Sequence, residues 1–324
     1  MTIKRKVKFM GIASSVASKV INLFFIMLVG VFLRKKKILD KKTTSVMSAL
    51  LINITNPFLI IYSFQKEYTP ELVKNGFTVL FWTVIMHLVL ALLGFLAYRF
   101  EKDTQRRRMF NFATCFGNCG FLGQPVLMAL CGSLGDENGF LYGVFIAFFF
   151  NIFCWTYGFI LMNNKKGVDV KFLLRKIVTN PCLISAIVGF SLFMLRIRLP
   201  FFIAEGVEYI GNMTFPLSML IVGSLLCELR PDELLKDKTV YWLIAVKLII
   251  APLVMIFIMK LLSVPLLFAY ITVTICAMPS ANYAAIMADY YGGDTRLATK
   301  CVSISTIASV LTIPLVIFIA TSIL

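Results

Sequence analysis

FATCFGNCGFLGQP, residues 112–125, lies inside one of the long apolar stretches of this chain. It places Gly117, Gly120 and Gly123, together with Asn118 and Pro125, where a membrane helix would run. Glycine and proline are the poorest helix formers, and lipid offers the backbone no water as an alternative partner. A helix weakened at this depth must serve something other than its own stability.

The surroundings confirm the setting. Of 324 residues 59% are hydrophobic and only 15% charged, and the mean hydropathy is +0.87. This composition lies outside the soluble range. A helix crosses a bilayer in about 20 mostly apolar residues. Ten such stretches are expected, over 14–33, 43–64, 73–98, 109–131, 138–162, 180–196, 203–227, 239–262, 266–290 and 298–322. Their length and weak two-residue alternation favour helices over a transmembrane barrel. The first stretch follows a basic segment, but no small-residue cleavage site intervenes before the RKKK cluster at 34–37, so it reads as a span.

The net charge of +16 is not that of a nucleic-acid binder, because of where the charge sits. Lysine and arginine crowd the loops after odd-numbered spans: residues 34–37, Lys41 and Lys42, Arg106 to Arg108, Lys165 and Lys166, Arg175 and Lys176. The positive-inside rule then makes those loops cytoplasmic and both termini extracellular, in the plasma membrane. The basic tail over 1–13 argues the other way. The eight cysteines lie in or at the ends of spans and read as packing residues, with no metal or disulfide set.

The chain repeats itself. Shifted by 159 positions, Val29, Gly30, Asn53, Thr55 and Pro57 fall on Val188, Gly189, Asn212, Thr214 and Pro216; shifted by 160, His87 falls on Lys247. A unit of five spans, 14–163, recurs over 180–324, joined by a cytoplasmic linker at 164–179. Five is odd, so the second unit enters the membrane from the other side. Inverted repeats with interrupted helices in matching places are a transporter signature.

The interruptions match as well: NITNP at 53–57 with NMTFP at 212–216, and GNCGFLGQP ending at Pro125 with CAMPSAN holding Pro279. Proline removes a donor and clashes with the preceding turn, so spans two, four, seven and nine are each expected to break near their middle. A broken helix presents free N–H groups at the start of its second half. Two such ends meeting at the midplane would suit an anion, with Asn118 and Gln124 as further donors.

At this point the motifs resemble a family. N-x-G-x-x-G-x-P at 118–125, NPCLISAIVGF at 180–190, FPLSMLIVGSLL at 215–226 and AMPSANYAAIMADYYGGD at 277–294 are similar to those of the auxin efflux carriers and their bacterial malonate and malate permease relatives. The resemblance implies an all-α fold like that of bile acid transporters and sodium/proton antiporters: ten helices in two inverted repeats, with helices 4 and 9 broken and crossing at Pro125 and Pro279. It implies a scaffold of helices 1, 2, 6 and 7, with Asn53 and Asn212 at the interface to a transporter domain of helices 3–5 and 8–10, and a homodimer. About 17 residues join spans five and six, far fewer than the long central loop of the plant carriers. Ser280 and Asp289 also differ from the plant pattern. A small organic anion is therefore expected rather than auxin.

The expected substrate residues are Asn118, Gly120, Gly123, Gln124, Pro125, Pro279, Ser280, Asn282 and Asn151. His87 and Lys247 are ionisable residues inside the bilayer, and such residues are functional candidates by default. For each the alternatives are a relay or a packing role, and for Lys247 a fixed cation holding carbonyl ends. Asp289 could couple protons or sodium. Trp155, Ser303, Ser305, Thr306 and Ser309 are cavity candidates, while Glu205 and Glu208 suit a hydrated vestibule. With one histidine, no Walker A loop and no Ser/His/Asp set, an enzyme is not expected, nor any cofactor beyond a coupling ion. The sequence thus points to an organic-anion carrier of elevator type, with a cation/proton antiporter or an anion-sensing membrane protein as alternatives.

Overall fold

The structure, a computed structural model, describes residues 3–163, 170–227, 238–291 and 293–324. Among these residues every regular element is helical. Seven helices are long and apolar enough to cross a membrane: Gly11–Lys35, Lys41–Ser63, Pro70–Ala97, Gly139–Met162, Phe201–Leu226, Thr239–Leu261 and Thr295–Ile323. Three shorter apolar helices, Pro181–Met194 and Leu266–Cys276 within two of the other expected spans and Cys119–Leu134 running three residues past the end of the third, complete the apolar set among the described residues.

The ends of these helices follow from local sequence. Asp40, Thr69, Asp103, Asn180 and Asp294 each accept a backbone N–H of the turn they open, as N-cap residues do. Pro70 and Pro181 then stand in first turns, where no donor is required. The first helix, α1 (Ile3–Lys35), begins within the segment read as a free tail, so the basic residues from Lys4 onward continue the helix. Of the expected linker, 164–169 lie outside the described residues, and Val170–Val178 form a short helix bearing Arg175 and Lys176 in its last turn.

Only two of the four expected breaks are breaks. In the second span, α2 (Lys41–Leu50) passes through one π turn, Leu51–Thr55, into α3 (Asn56–Ser63) without leaving helical backbone angles. The Asn56 N–H bonds the Leu51 carbonyl five residues back. That widened turn takes in Pro57 without a break in the helix. The seventh span deviates only at Met213, which also keeps a right-handed helical conformation. Thr55 and Thr214 are buried, while Asn53 and Asn212 point outward and are exposed, not at an internal interface as expected. The exposed Asn53 bonds the Ala49 carbonyl at 2.8 Å.

Packing is close where glycines allow it. A Cβ on Gly223 would run into the Met27 carbonyl, and one on Gly30 into Leu220, so α1 lies backbone to backbone against the Thr214–Leu226 helix. Small residues at such contacts are the usual means of bringing membrane helices together. Pro181–Met194 packs on Asn56–Ser63 in the same way: the Cβ of a residue replacing Gly189 would meet the Phe64 ring. All eight cysteines are free thiols, six of them fully buried.

Candidate functional site

The true breaks are in the fourth and ninth spans. Thr104–Cys115 ends at Phe116, and a new helix starts at Cys119. Leu266–Cys276 ends at Ala277, and a new helix runs over Tyr283–Tyr291. The two interruptions meet. Gly117 and Ser280 form an antiparallel bridge, in which the Asn118 N–H donates to the Pro279 carbonyl at 2.7 Å and the Ala281 N–H to the Phe116 carbonyl at 2.9 Å. Backbone freed by each break is thus satisfied by the other, which the low-dielectric interior demands. Ser280 fastens the joint: its hydroxyl donates to the Ala113 carbonyl at 2.8 Å, and its N–H to Ser305 Oγ at 3.1 Å.

The crossing point is therefore Gly117–Asn118 with Pro279–Ser280. Pro125 stands seven residues beyond Asn118, inside the continuous Cys119–Leu134 helix and just after its π turn Cys119–Gly123. The expectation that both prolines mark the crossing holds for Pro279 alone. In the fourth span the break falls at glycine and asparagine, and the proline lies within the helix that restarts at Cys119.

Beside the crossing lies a cavity of about 50 Å³ whose polar lining includes Asn56, Asn118, Gly120, Gln124, Asn151 and Asn282. That is room for about three or four waters, or one carboxylate group. Asn118 caps the second half of its span, with Oδ1 accepting the Phe121 and Leu122 N–H groups at 3.1 and 3.4 Å. Its Nδ2 remains as a donor. The Cys119 N–H folds back onto the Gly117 carbonyl at 2.8 Å. Gly120 has no atom within 4 Å of where a Cβ would stand, so its backbone is open to the cavity. Gln124 is 2% exposed, and among the described residues nothing hydrogen-bonds its amide.

Asn151 is at the wall but already engaged: its Nδ2 donates to the Ala147 carbonyl, and its Oδ1 accepts from Asn180 Nδ2 at 3.1 Å and Tyr283 Oη at 3.3 Å. Gly123, Pro125, Pro279 and Ser280 do not line the cavity. Gly123 instead packs on Ile275 and Met278. Asn56, Asn180 and Tyr283 are residues that sequence reasoning passed over. Asn56 lay inside the NITNP motif, where attention went to Asn53. Asn180 carried the cap-then-proline signature of a helix start.

A second cavity of about 450 Å³ adjoins the first across Ile52, Phe121 and Asn282. It is lined by hydroxyls of Thr44, Ser45, Ser48, Ser218, Thr299 and Ser303, with Lys41 among them. Of the span-ten candidates Ser303 alone lines it. Ser305 braces the crossing, Ser309 bonds the Thr306 carbonyl, and the Thr306 hydroxyl is buried without a partner.

Lys247 is completely buried in a π turn of the eighth span, and among the described residues its Nζ has no hydrogen-bond partner. A Cβ on Gly117 would lie 3.2 Å from that Nζ, so the ammonium rests against the crossing backbone without entering either cavity. His87 donates its Nδ1–H to the Thr83 carbonyl, 2.8 Å away, within a ring of Phe116, Phe149, Phe150 and Phe153. It touches neither cavity. The side chain of Asp289 lies outside the described residues. Glu205 is exposed and accepts from Tyr209, and Trp155 lies under the Lys176 ammonium.

A profile of the family described as membrane transport protein matches residues 15–317. An uncharacterized transporter of Methanothermobacter thermautotrophicus is 27% identical over 314 residues, covering 95% of this chain and 98% of that protein. One from Methanocaldococcus jannaschii is 26% identical over 310 residues, covering 91% and 96%.

Proposed function

Since the chain belongs to the membrane transport protein family, the auxin efflux carrier-like group its motifs resemble, we propose that it is a secondary carrier of small organic anions bound at the helix crossing. The observation that carries this reading is the mutual pairing of the two breaks, Asn118 to Pro279 and Ala281 to Phe116, beside a polar cavity. Two half-helices begin there, each bringing about half a positive charge. Gly120 N–H, Asn118 Nδ2, Gln124 and Asn282 supply donors to one carboxylate. Lys247 behind Gly117, with no counter-ion among the described residues, would add positive charge beside the anion when protonated.

The adjoining 450 Å³ cavity takes the rest of the molecule. A three- or four-carbon dicarboxylate such as malonate or malate fits this division, with its second carboxylate among the serine hydroxyls and Lys41. By the positive-inside count the loop bearing Lys41 is cytoplasmic, so the chain is open to that side. The reading is of two inverted five-helix units in the plasma membrane, with the crossing carried past a scaffold of helices 1, 2, 6 and 7 in elevator fashion. Exposed Asn53 and Asn212, at matching places of the two units, suit burial in a homodimer, because an amide facing lipid is costly.

Thermal unfolding of the purified protein tests the site. Ligand binding stabilises the folded state by RT ln(1 + [L]/Kd), so malonate or malate should raise the melting temperature of the wild type and leave Asn118→Asp unmoved. Stabilisation by sodium but by no carboxylate would favour a cation/proton antiporter instead.

A further inference from the structure

A second groove, remote from the crossing, runs between α4 (Pro70–Ala97), the Gly139–Phe153 helix and the Pro181–Met194 helix. Its deeper part, about 180 Å³, is walled by Phe64, Phe77, Phe145, Phe148 and Phe190. The rings meet edge to face, with Phe64 and Phe190 centroids 6.0 Å apart and Phe77 and Phe190 centroids 6.2 Å apart. Phe77 and Ile187 on its rim are 50% and 57% exposed, so it opens sideways to lipid.

The end of the groove is different in character. There a cavity of about 330 Å³ is lined by Lys66, Glu67, Tyr68, Arg196 and Arg198, and Phe64 belongs to both parts. From Pro70 at this end to Phe77 in the deeper part is seven residues, or about 10 Å of helix. Among the described residues Glu67 is the one acid lining it, and Arg198 stands 3.7 Å from it. Lys66 and Arg196 leave the cavity positive. Lys66 donates to the Glu137 carbonyl and Asn138 Oδ1, both at 2.9 Å. Burial holds its pKa below the ordinary lysine range against the opposing pull of the Glu137 and Asp136 carboxylates, a cost that a phosphate within reach would offset further. Arg196 sits at φ 58, the left-handed position that ends a helix and usually takes glycine or asparagine. Here an arginine occupies it, with its guanidinium 4.9 Å from the Tyr68 ring centre.

We propose that this groove holds one anionic phospholipid, with its phosphate among Lys66, Arg196 and Arg198 and one acyl chain along Phe64, Phe77, Phe145 and Phe190. A basic end and an apolar trough of this length, continuous and open to the bilayer, match the two ends of such a lipid and of no water-soluble anion. Net positive charge selects an anionic headgroup over a zwitterionic one.

The test uses full-length protein carrying Phe148→Trp, reconstituted in phosphatidylcholine vesicles with increasing mole fractions of lipid brominated on the acyl chain. Bromine quenches a nearby indole, and the wild type with its three tryptophans gives the background. Brominated phosphatidylglycerol should reach half its quenching at about one-tenth the mole fraction that brominated phosphatidylcholine needs. Adding Lys66→Gln, Arg196→Asn and Arg198→Gln should abolish that preference; asparagine tolerates the left-handed backbone at 196. Equal quenching by the two lipids, or a preference that survives the triple variant, overturns the proposal. The comparison of the two lipids with Phe148→Trp as the only change decides the matter even if the triple variant does not fold. Transport is not read, so the outcome is independent of the substrate assignment.

Discussion

Replacing Asn118 by aspartate separates its two tasks. The Oδ1 that caps the Phe121 and Leu122 N–H groups is retained, and aspartate and asparagine are equally good N-caps. Stability should therefore stay within about 0.5 kcal/mol of wild type. Binding should not survive. The cavity of about 50 Å³ keeps a bound carboxylate within about 4 Å of residue 118, and two like charges at about 4 Å in an effective dielectric of about 20 repel by about 4 kcal/mol. That is about a thousandfold in affinity. Asn118→Ala should do the reverse, losing about 1 kcal/mol of stability with the cap and about tenfold in affinity with the single donor Nδ2. Thermal unfolding and carboxylate titration of the two variants check both halves. If Asn118→Asp binds carboxylates as the wild type does, the anion is not at the crossing and the reasoning fails.

Lys247→Met should stabilise the protein by about 1–3 kcal/mol, because it removes a buried amine with no partner, while transport is lost; destabilisation on thermal unfolding would mean that Nζ is satisfied. Gly223→Ala should cost about 1–3 kcal/mol or more, since the added Cβ runs into the Met27 carbonyl and pushes α1 outward; unfolding temperatures in detergent measure it. Asp40 holds its carboxyl below 3.8, chiefly through the backbone N–H of Thr43. A depressed carboxylate gives stability that is present above 3.8 and lost as the pH falls through the folded value. Asp40→Asn should keep the cap and remove this acid-side loss in unfolding curves taken against pH.

Most of the helices were legible because length, hydropathy and caps are local properties. Asp40, Thr69, Asp103, Asn180 and Asp294 were further local signals, at five of the starts, that the span count did not use. The failures came from one inference applied to all four proline motifs. Proline requires that a donor be dispensable, which a break satisfies, but so does a π turn just ahead of it, as at Leu51–Thr55 before Pro57 and Cys119–Gly123 before Pro125. Which of these occurs depends on whether other backbone stands ready to pair the freed groups. Phe116 and Asn118 found Ala281 and Pro279 across the crossing, whereas Asn56 could reach Leu51 in its own helix. That partner lies some 160 positions away in sequence, so no local pattern signals it. Asn53 and Asn56 show the same limit: both are plausible site residues in NITNP, and only Asn56 lines the cavity.

The central claim is that the crossing binds the carboxylate being moved. Counterflow tests it most directly: proteoliposomes loaded with unlabelled malonate or malate, labelled substrate outside, and wild type beside Asn118→Asp. The account predicts uptake that the internal carboxylate stimulates and the variant abolishes. No uptake with any carboxylate from folded wild-type protein, or undiminished uptake by the variant, would contradict it.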